Sequence, residues 1–294
     1  MNHRLRKQIF MFFLMFFALA QTACKTGPAK PGKIELMAVL AEGGEPISSG
    51  LWWEVLKTEV EPGQKSKVVD KAGGGVSFEL PAGNYLVTVT LGQARAEKLV
   101  TVKAESSAKD TLILNAGRKL LSATMVEGGE PIASGLWWEI FATKEGATNE
   151  RTKITDRSSG TAEFIVPAGR YLATVTLGKA RAQKEFEVKA GELGKEQLVL
   201  EAGLIRLSAT AASGSAVSGG LWWEVFEAAP NSAGEQKKIA DKGGGTVEFI
   251  LPAGNYLVKV KMEGQKAEQT IDLTPGEKKE VNLILEQQKK INIA

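Results

Sequence analysis

The sequence predicts an all-β fold: three antiparallel β-sandwich domains in a row behind a signal peptide. The first observation is repetition. GLWWEV at Gly50–Val55 recurs as GLWWEI at Gly135–Ile140 and GLWWEV at Gly220–Val225, 85 residues apart each time. PAGNY at Pro81–Tyr85 recurs as PAGRY at Pro167–Tyr171 and PAGNY at Pro252–Tyr256, and all six tryptophans and all three tyrosines fall in these two anchors. The second observation is an apolar period of two between turn signals, which is the mark of half-buried strands. The third is an apolar run at the N-terminus that is too short to span a bilayer.

That run covers Ile9–Ala20, 12 residues, behind Arg4, Arg6 and Lys7. A spanning helix needs about 20 apolar residues, so residues 1–24 read as a signal peptide. Two cleavage chemistries fit. Ala18-Leu19-Ala20 suits an ordinary signal peptidase and leaves Gln21 first. Thr22-Ala23-Cys24 resembles the end of a bacterial lipobox, with Gln21 where an aliphatic residue is usual. Cys24 is the only cysteine, so it has no intramolecular disulfide partner, and an unpaired cysteine in an exported chain needs a reason. Lipidation of Cys24 supplies one, and residues 25–32, KTGPAKPG, then form an extended tether. Lys25 follows the cysteine; an aspartate there is the inner-membrane retention signal of enteric-type sorting, so the chain is expected on the outer membrane, facing the periplasm, with a soluble periplasmic form as the alternative.

Residues 1–24 carry three of the 37 Lys+Arg and none of the 34 Asp+Glu. The remainder is balanced at 34 against 34, so no positive excess is left to drive nucleic-acid binding.

The repeat places the domains at 33–117, 118–203 and 204–288, with a short tail at 289–294. In the first, strands are expected near 34–40, 51–57, 67–71, 76–80, 84–91, 94–103 and 110–115. Gly43-Gly44-Glu45-Pro46, Pro62-Gly63, Gly73-Gly74-Gly75, Pro81-Ala82-Gly83 and Gly92-Gln93 separate them. Seven short strands without a helical window indicate a sandwich.

The repeats also act as substitutions of one another. In the strand after PAGxY, one face reads Tyr85/Val87/Val89, Tyr171/Ala173/Val175 and Tyr256/Val258/Val260. The other reads Leu86/Thr88/Thr90, Leu172/Thr174/Thr176 and Leu257/Lys259/Lys261. Lysine is seldom fully buried, so the Tyr/Val face is expected in the core and the Thr/Lys face in solvent. Tyr85, Tyr171 and Tyr256 suit a tyrosine corner, the hydroxyl bonding to backbone a few residues upstream.

The run LPAGNYLVTVTLG, the seven-strand pattern and the export signal resemble bacterial extracytoplasmic β-sandwich modules of the carboxypeptidase-regulatory-like (prealbumin-like) and Cna-B-like types. The resemblance implies immunoglobulin-like/prealbumin-like sandwiches in the cell envelope. The Cna-B likeness also raises an internal Lys–Asn isopeptide bond, for which Lys33 and Asn115 are candidates in the first domain alone. Arg118, Glu201 and Glu286 stand at matching positions elsewhere.

Catalysis is not expected, and neither is a cofactor. His3 leaves with the signal, which removes histidine-based hydrolysis and the usual zinc sites. Glu54, Glu139 and Glu224 recur with Asp70, Asp156 and Asp241, but a carboxylate pair repeated in three small domains would need three clefts. The triple glycines at 73–75 and 243–245 lack the Lys-Ser/Thr of a phosphate loop and read as turns.

The tryptophan pairs are the candidate binding feature. Successive strand residues point to opposite faces. Trp53, Trp138 and Trp223 share a face with Leu and Val/Ile and are expected in the core. Trp52, Trp137 and Trp222 share theirs with Glu54, Glu139 and Glu224 and are expected outside. Two readings of the outer set stand open: packing under a loop or on Leu56, Phe141 and Phe226, or a platform for sugar rings or a partner chain with the glutamates accepting hydrogen bonds. The function these residues point to is a non-catalytic envelope lipoprotein that binds or spaces, with glycan or peptidoglycan binding and an accessory role in an envelope complex as alternatives. Its partners are the membrane, through the lipid, and an envelope protein or glycan.

Lipidation gives the first testable outcome. A Cys24→Ala chain is expected to move from the membrane fraction to the soluble periplasm; a wild-type chain already soluble, with Gln21 as its first residue, would refute it.

Overall fold

The structure, a computed structural model, describes residues 30–58, 66–143 and 151–287. The signal, Cys24, most of the tether, the Pro62-Gly63 turn and the tail lie outside these residues. Every regular element among the described residues is a strand. The first unit holds β1 (Pro31–Val39), β2 (Leu51–Lys57), β3 (Ser66–Gly73), β4 (Val76–Pro81), β5 (Gly83–Leu91), β6 (Ala94–Val102) and β7 (Ser107–Ile113). The second repeats it with β8 (Ala116–Thr124), β9 (Trp137–Thr143), β10 (Arg151–Ser158), β11 (Ala162–Pro167), β12 (Gly169–Leu177), β13 (Ala180–Val188) and β14 (Leu193–Val199). The third holds β15 (Ala202–Ala211), β16 (Trp222–Glu227), β17 (Lys238–Gly243), β18 (Val247–Pro252), β19 (Gly254–Met262), β20 (Gln265–Leu273) and β21 (Lys278–Gln287).

Each unit is a sandwich of a three-stranded and a four-stranded sheet, ordered β4-β1-β7 and β3-β2-β5-β6 in the first. In the third the two sheets join along one side through Gln265↔Gln287 and Lys266↔Glu286. One pairing per unit departs from the antiparallel expectation. β1 runs parallel to β7, as β8 does to β14 and β15 to β21. A parallel pair needs a long crossover, and the intervening strands, which cross to the other sheet and back, provide it.

Period-two patterning builds the core. β2 reads buried at Leu51, Trp53 and Val55, and these meet Ile34, Leu36, Phe78, Leu80, Tyr85, Val87 and Val89 in one cluster. The other two units repeat it around Trp138 and Trp223. The three inner tryptophans are fully buried. An indole removes about 150–250 Å² from water, at most ~4–6 kcal/mol of burial each.

A buried indole N–H needs an acceptor. Trp53 Nε1 donates to the Gly74 carbonyl at 2.9 Å, Trp138 Nε1 to Ser159 at 3.1 Å and Trp223 Nε1 to Gly244 at 3.0 Å. These carbonyls belong to the turn after β3, β10 and β17. That turn lies hard against the loop before β2, β9 and β16. A Cβ on Gly74 would sit 2.3 Å from the Ser48 carbonyl oxygen; on Gly160 and Gly245 the figures are 2.1 Å (Ala133) and 2.2 Å (Ser218). This explains why the second unit keeps Gly160 yet tolerates Ser158 and Ser159.

The Thr/Lys face is not a solvent face throughout. Thr88 and Thr174 are 1% and 0% exposed, and Leu86 and Leu172 are buried. β5 and β12 are inner strands of four-stranded sheets, so longer side chains on both flanks roof a threonine. Thr88 Oγ1 donates to Glu54 at 3.4 Å, and Thr174 Oγ1 accepts from Gln183 at 3.2 Å. In the third unit Lys259 and Lys261 reach past that roof to Glu268 and Glu224. Lys259, at the position of the buried threonines, is only half-buried because of its length rather than its position.

Lys119 shows the same effect in a core. It takes the place of Ile34 and Ile205, is 6% exposed, and points its ammonium over the Phe186 ring (5.2 Å) toward Glu196 (3.5 Å). Burial raises the Glu196 carboxyl, but bonding to Lys184 and the charges of Lys184 and Lys119 outweigh it and hold the group below its ordinary value. Lys33, in contrast, lies at the surface and pairs with Glu35 at 2.7 Å.

The corner hydroxyls donate as the motif requires: Tyr85 to the Pro81 carbonyl at 2.9 Å, Tyr171 to Pro167 at 2.8 Å and Tyr256 to Pro252 at 2.7 Å. Tyr171→Phe removes one such bond and is expected to lower stability by ~0.5–1.5 kcal/mol in denaturant melts. An unchanged midpoint would mean the hydroxyl does not brace the corner.

Candidate functional site

Two recurring features have chemistry to offer: the outer face of the sheet that carries the tryptophan pair, in all three units, and the joint between successive units, which occurs twice.

On the outer face, cross-strand register aligns three rows. Trp52 lies between Ala72 and Thr90, Glu54 between Asp70 and Thr88, and Leu56 between Lys67 and Leu86. The second unit aligns Trp137, Glu139 and Phe141 likewise, and the third Trp222, Glu224 and Phe226. Trp52, Trp137 and Trp222 are 43%, 43% and 42% exposed. Each indole is therefore partly covered and partly open to solvent.

The glutamates are less available than the tryptophans. A bulge in β10 and β17 brings a lysine back beside the carboxylates. Lys153 Nζ lies 3.2 Å from Glu139 and 2.7 Å from Asp156, and also 6.0 Å from the centre of the Trp137 ring. Lys238 Nζ lies 3.5 Å from Glu224 and 3.0 Å from Asp241, and Lys261 adds a contact to Glu224 at 3.3 Å. The Asp156 and Glu139 carboxylates push the Lys153 ammonium above its usual range; Asp241, with Glu224, does so for Lys238. In the first unit Lys67 reaches Asp70 at 3.4 Å, and Glu54 accepts from Thr88. The carboxylate pairs of the second and third units, each clamped by one lysine, are thus ion triads, and the first unit's pair is not. Among the described residues no group of His, Cys, Asp or Glu is arranged to hold a metal.

The joint was not foreseen from the sequence. Only Leu114 and Asn115 separate β7 from β8. Ala116 opens β8, yet it is fully buried in the first unit's core. Its N–H donates to Leu40 of the first unit at 2.9 Å, and its carbonyl accepts from Gly191 of the second at 2.8 Å. Asn115, at a φ of 46°, accepts from the Ala168 N–H. A second contact lies to the side. The tip of the β5–β6 hairpin reaches the edge strand β11, where Gln93 N–H donates to the Ile165 carbonyl at 2.9 Å. Between the two contacts lies a cleft of about 560 Å³, lined by Leu40, Ala41, Ile47, Leu91, Arg118 and Ile165 among others.

The next joint copies this one. Ala202 N–H donates to Met125 at 3.0 Å and its carbonyl accepts from Gly276 at 2.8 Å; Glu201 has the same φ of 46°. Lys179 N–H donates to the Ile250 carbonyl at 2.9 Å. The signal in the sequence was the recurrence of Gly92 and Gly178 at the hairpin tips, which a turn alone also explains.

No family model and no curated protein matches the chain. Solved structures do. The Bacillus anthracis TIE protein is 18% identical, over 88% of this chain and 51% of that one, with a TM-score of 0.27, so the chain spans about half its length. The Streptococcal ancillary pilin is 11% identical over 89% of this chain and 100% of that one, TM-score 0.32. BcpA, the major pilin subunit of Bacillus cereus, is 12% identical over 88% and 100%, TM-score 0.23.

Proposed function

We propose that this chain is a non-catalytic envelope spacer, exported and lipid-anchored at Cys24, whose three sandwiches form one stiff rod. The outer membrane, facing the periplasm, is the anchoring site that Lys25 favours. The observation that carries the reading is the two-point joint. A single strand between domains permits bending and twisting. A second, off-axis bond from the hairpin tip to an edge strand removes those freedoms, and here it occurs at both joints with the same N···O distance of 2.9 Å. On the outer faces of the second and third units the recurring carboxylates are held in ion triads by Lys153 and Lys238, which suits a spacer.

The rod is tested on the full chain with Cys24→Ser and spin labels on Thr101→Cys and Asp272→Cys. A single narrow distance distribution is expected. A broad one would mean beads on a string and would remove the reading.

A second reading rests on the half-exposed tryptophans. Three indoles at one register position form a repeated platform for a glycan or partner chain, and three copies add avidity if one ligand spans them. A Trp52/Trp137/Trp222→Ala chain is expected to melt cooperatively but lose retention on purified cell-wall glycan. Equal retention by that chain leaves the spacer alone.

A further inference from the structure

The joint is used twice, and its residues change at the two places where no unit meets it among the described residues. The hairpin-tip position lies seven residues beyond each corner tyrosine. It is Gly92 in the first unit and Gly178 in the second, but Glu263 in the third. The receiving position on the edge strand follows the buried phenylalanine by one. It is Ile165 in the second unit and Ile250 in the third, but Glu79 in the first. The turn position that abuts the preceding unit is Gly191 and Gly276, but Glu105 in the first.

Space explains the internal residues. A Cβ on Gly92 would lie 2.7 Å from the Ile165 carbonyl oxygen and 3.0 Å from the Ile165 Cβ; for Gly178 and Ile250 the figures are 2.8 and 3.0 Å. A Cβ on Gly191 would lie 3.0 Å from the Ala41 Cβ, and one on Gly276 2.9 Å from a methyl of Val126. A side chain at Gly92 or Gly178 would strike the edge-strand backbone, and one at Gly191 or Gly276 would press on Ala41 or Val126; all four glycines also hold a positive φ. The three glutamates are all exposed. Glu105 keeps the left-handed backbone of its glycine counterparts, φ 55° against 78° and 76°, although only glycine takes it without strain. At the third tip the positive φ has moved one residue on, to Gly264, around which a Cβ would meet nothing within 4 Å.

We infer that Glu79, Glu105 and Glu263 cap the stack, so that its ends refuse another unit of this kind and a second copy of the chain cannot add end to end. The joint is heterologous, tip onto edge, and such a contact propagates without limit unless something stops it. β4 pairs with β1 on one side and its other edge is unpaired among the described residues, the kind of template that proteins blunt with charge. A tip carrying one carboxylate would meet a face carrying two, of which Glu105 is paired with Lys30 at 2.5 Å, and at the tip itself the edge-strand backbone leaves no room for a Cβ. Repeat arrays end in polar caps for this reason.

Moving the caps inward tests this. In the Cys24→Ser chain labelled on the first and second units, Gly92→Glu with Ile165→Glu is expected to abolish the single narrow distance peak. In the same variant labelled instead on the second and third units, the distance should stay narrow. Arg95→Glu, a like change of charge three residues from the tip, is expected to leave both peaks intact. Should the pair unfold the second unit, Gly92→Glu with Gly191→Glu, both in surface turns, gives the same readout. A peak unaltered by the transplanted glutamates overturns the inference. So does equal broadening by Arg95→Glu, or a wild-type chain that sediments as end-to-end oligomers. A wild-type chain without a narrow peak removes the spacer and the caps together; a narrow peak indifferent to the transplant removes the caps alone.

Discussion

Each unit depends on one buried N–H. The inner tryptophan is the largest side chain in its core, and it can be buried only if its indole N–H finds an acceptor. The turn after the third strand supplies that acceptor, at 2.9 to 3.1 Å in the three units. The turn can come that close only because it nests on the loop before the second strand, where glycine is obligatory at 74, 160 and 245. One polar atom thus couples the GLWWEV anchor to a glycine more than 20 residues later. The tyrosine corner does the same work at the opposite edge of the core, so both anchors that made the repeat visible are places where a large ring carries a polar tip inside.

That coupling explains what was legible in the sequence. Rings and alternating aliphatics read directly as strands and core faces. Trp53, Trp138 and Trp223 lie inward and Trp52, Trp137 and Trp222 outward, because a strand admits no other disposition of adjacent residues. Burial of Thr88 and Thr174 was not legible. A threonine has no length to reach past its neighbours, so its exposure is set by Glu54 and Gln183 rather than by its own chemistry. The lysines of the third unit misled for the converse reason. Parallel pairing of the first and last strands leaves no local trace either, since register across a whole domain is fixed by the order of sheets.

The outer-face glutamates show how far a recurring charge can be trusted as a functional sign. Glu139 and Glu224 recur because the bulge in the next strand returns a lysine to them, and that lysine also serves an aspartate three residues away. The pattern Lys-x-x-Asp opposite Trp-x-Glu is therefore a self-contained ion cluster. Exposed pairs of this kind add little stability, on the order of 0–1 kcal/mol. In the second and third units their effect is to flank a half-exposed indole with paired charge.

A joint made of a few backbone bonds and one hairpin tip looks too small to fix the relation of two domains. Between separate molecules it would be, since a stable interface buries about 1,200–2,000 Å². Within the chain the accounting differs. Two residues join β7 to β8, so the hairpin tip and its edge strand are never far apart, and their contact is intramolecular at high effective concentration. The entropy of bringing them together has already been met by the strand that runs through both cores. Under those conditions a single N–H···O bond at the right distance from the axis decides between a rod and a flexible string. A single misplaced side chain has similar leverage, because a Cβ on Gly92 or Gly178 would strike the backbone of the edge strand that receives the tip.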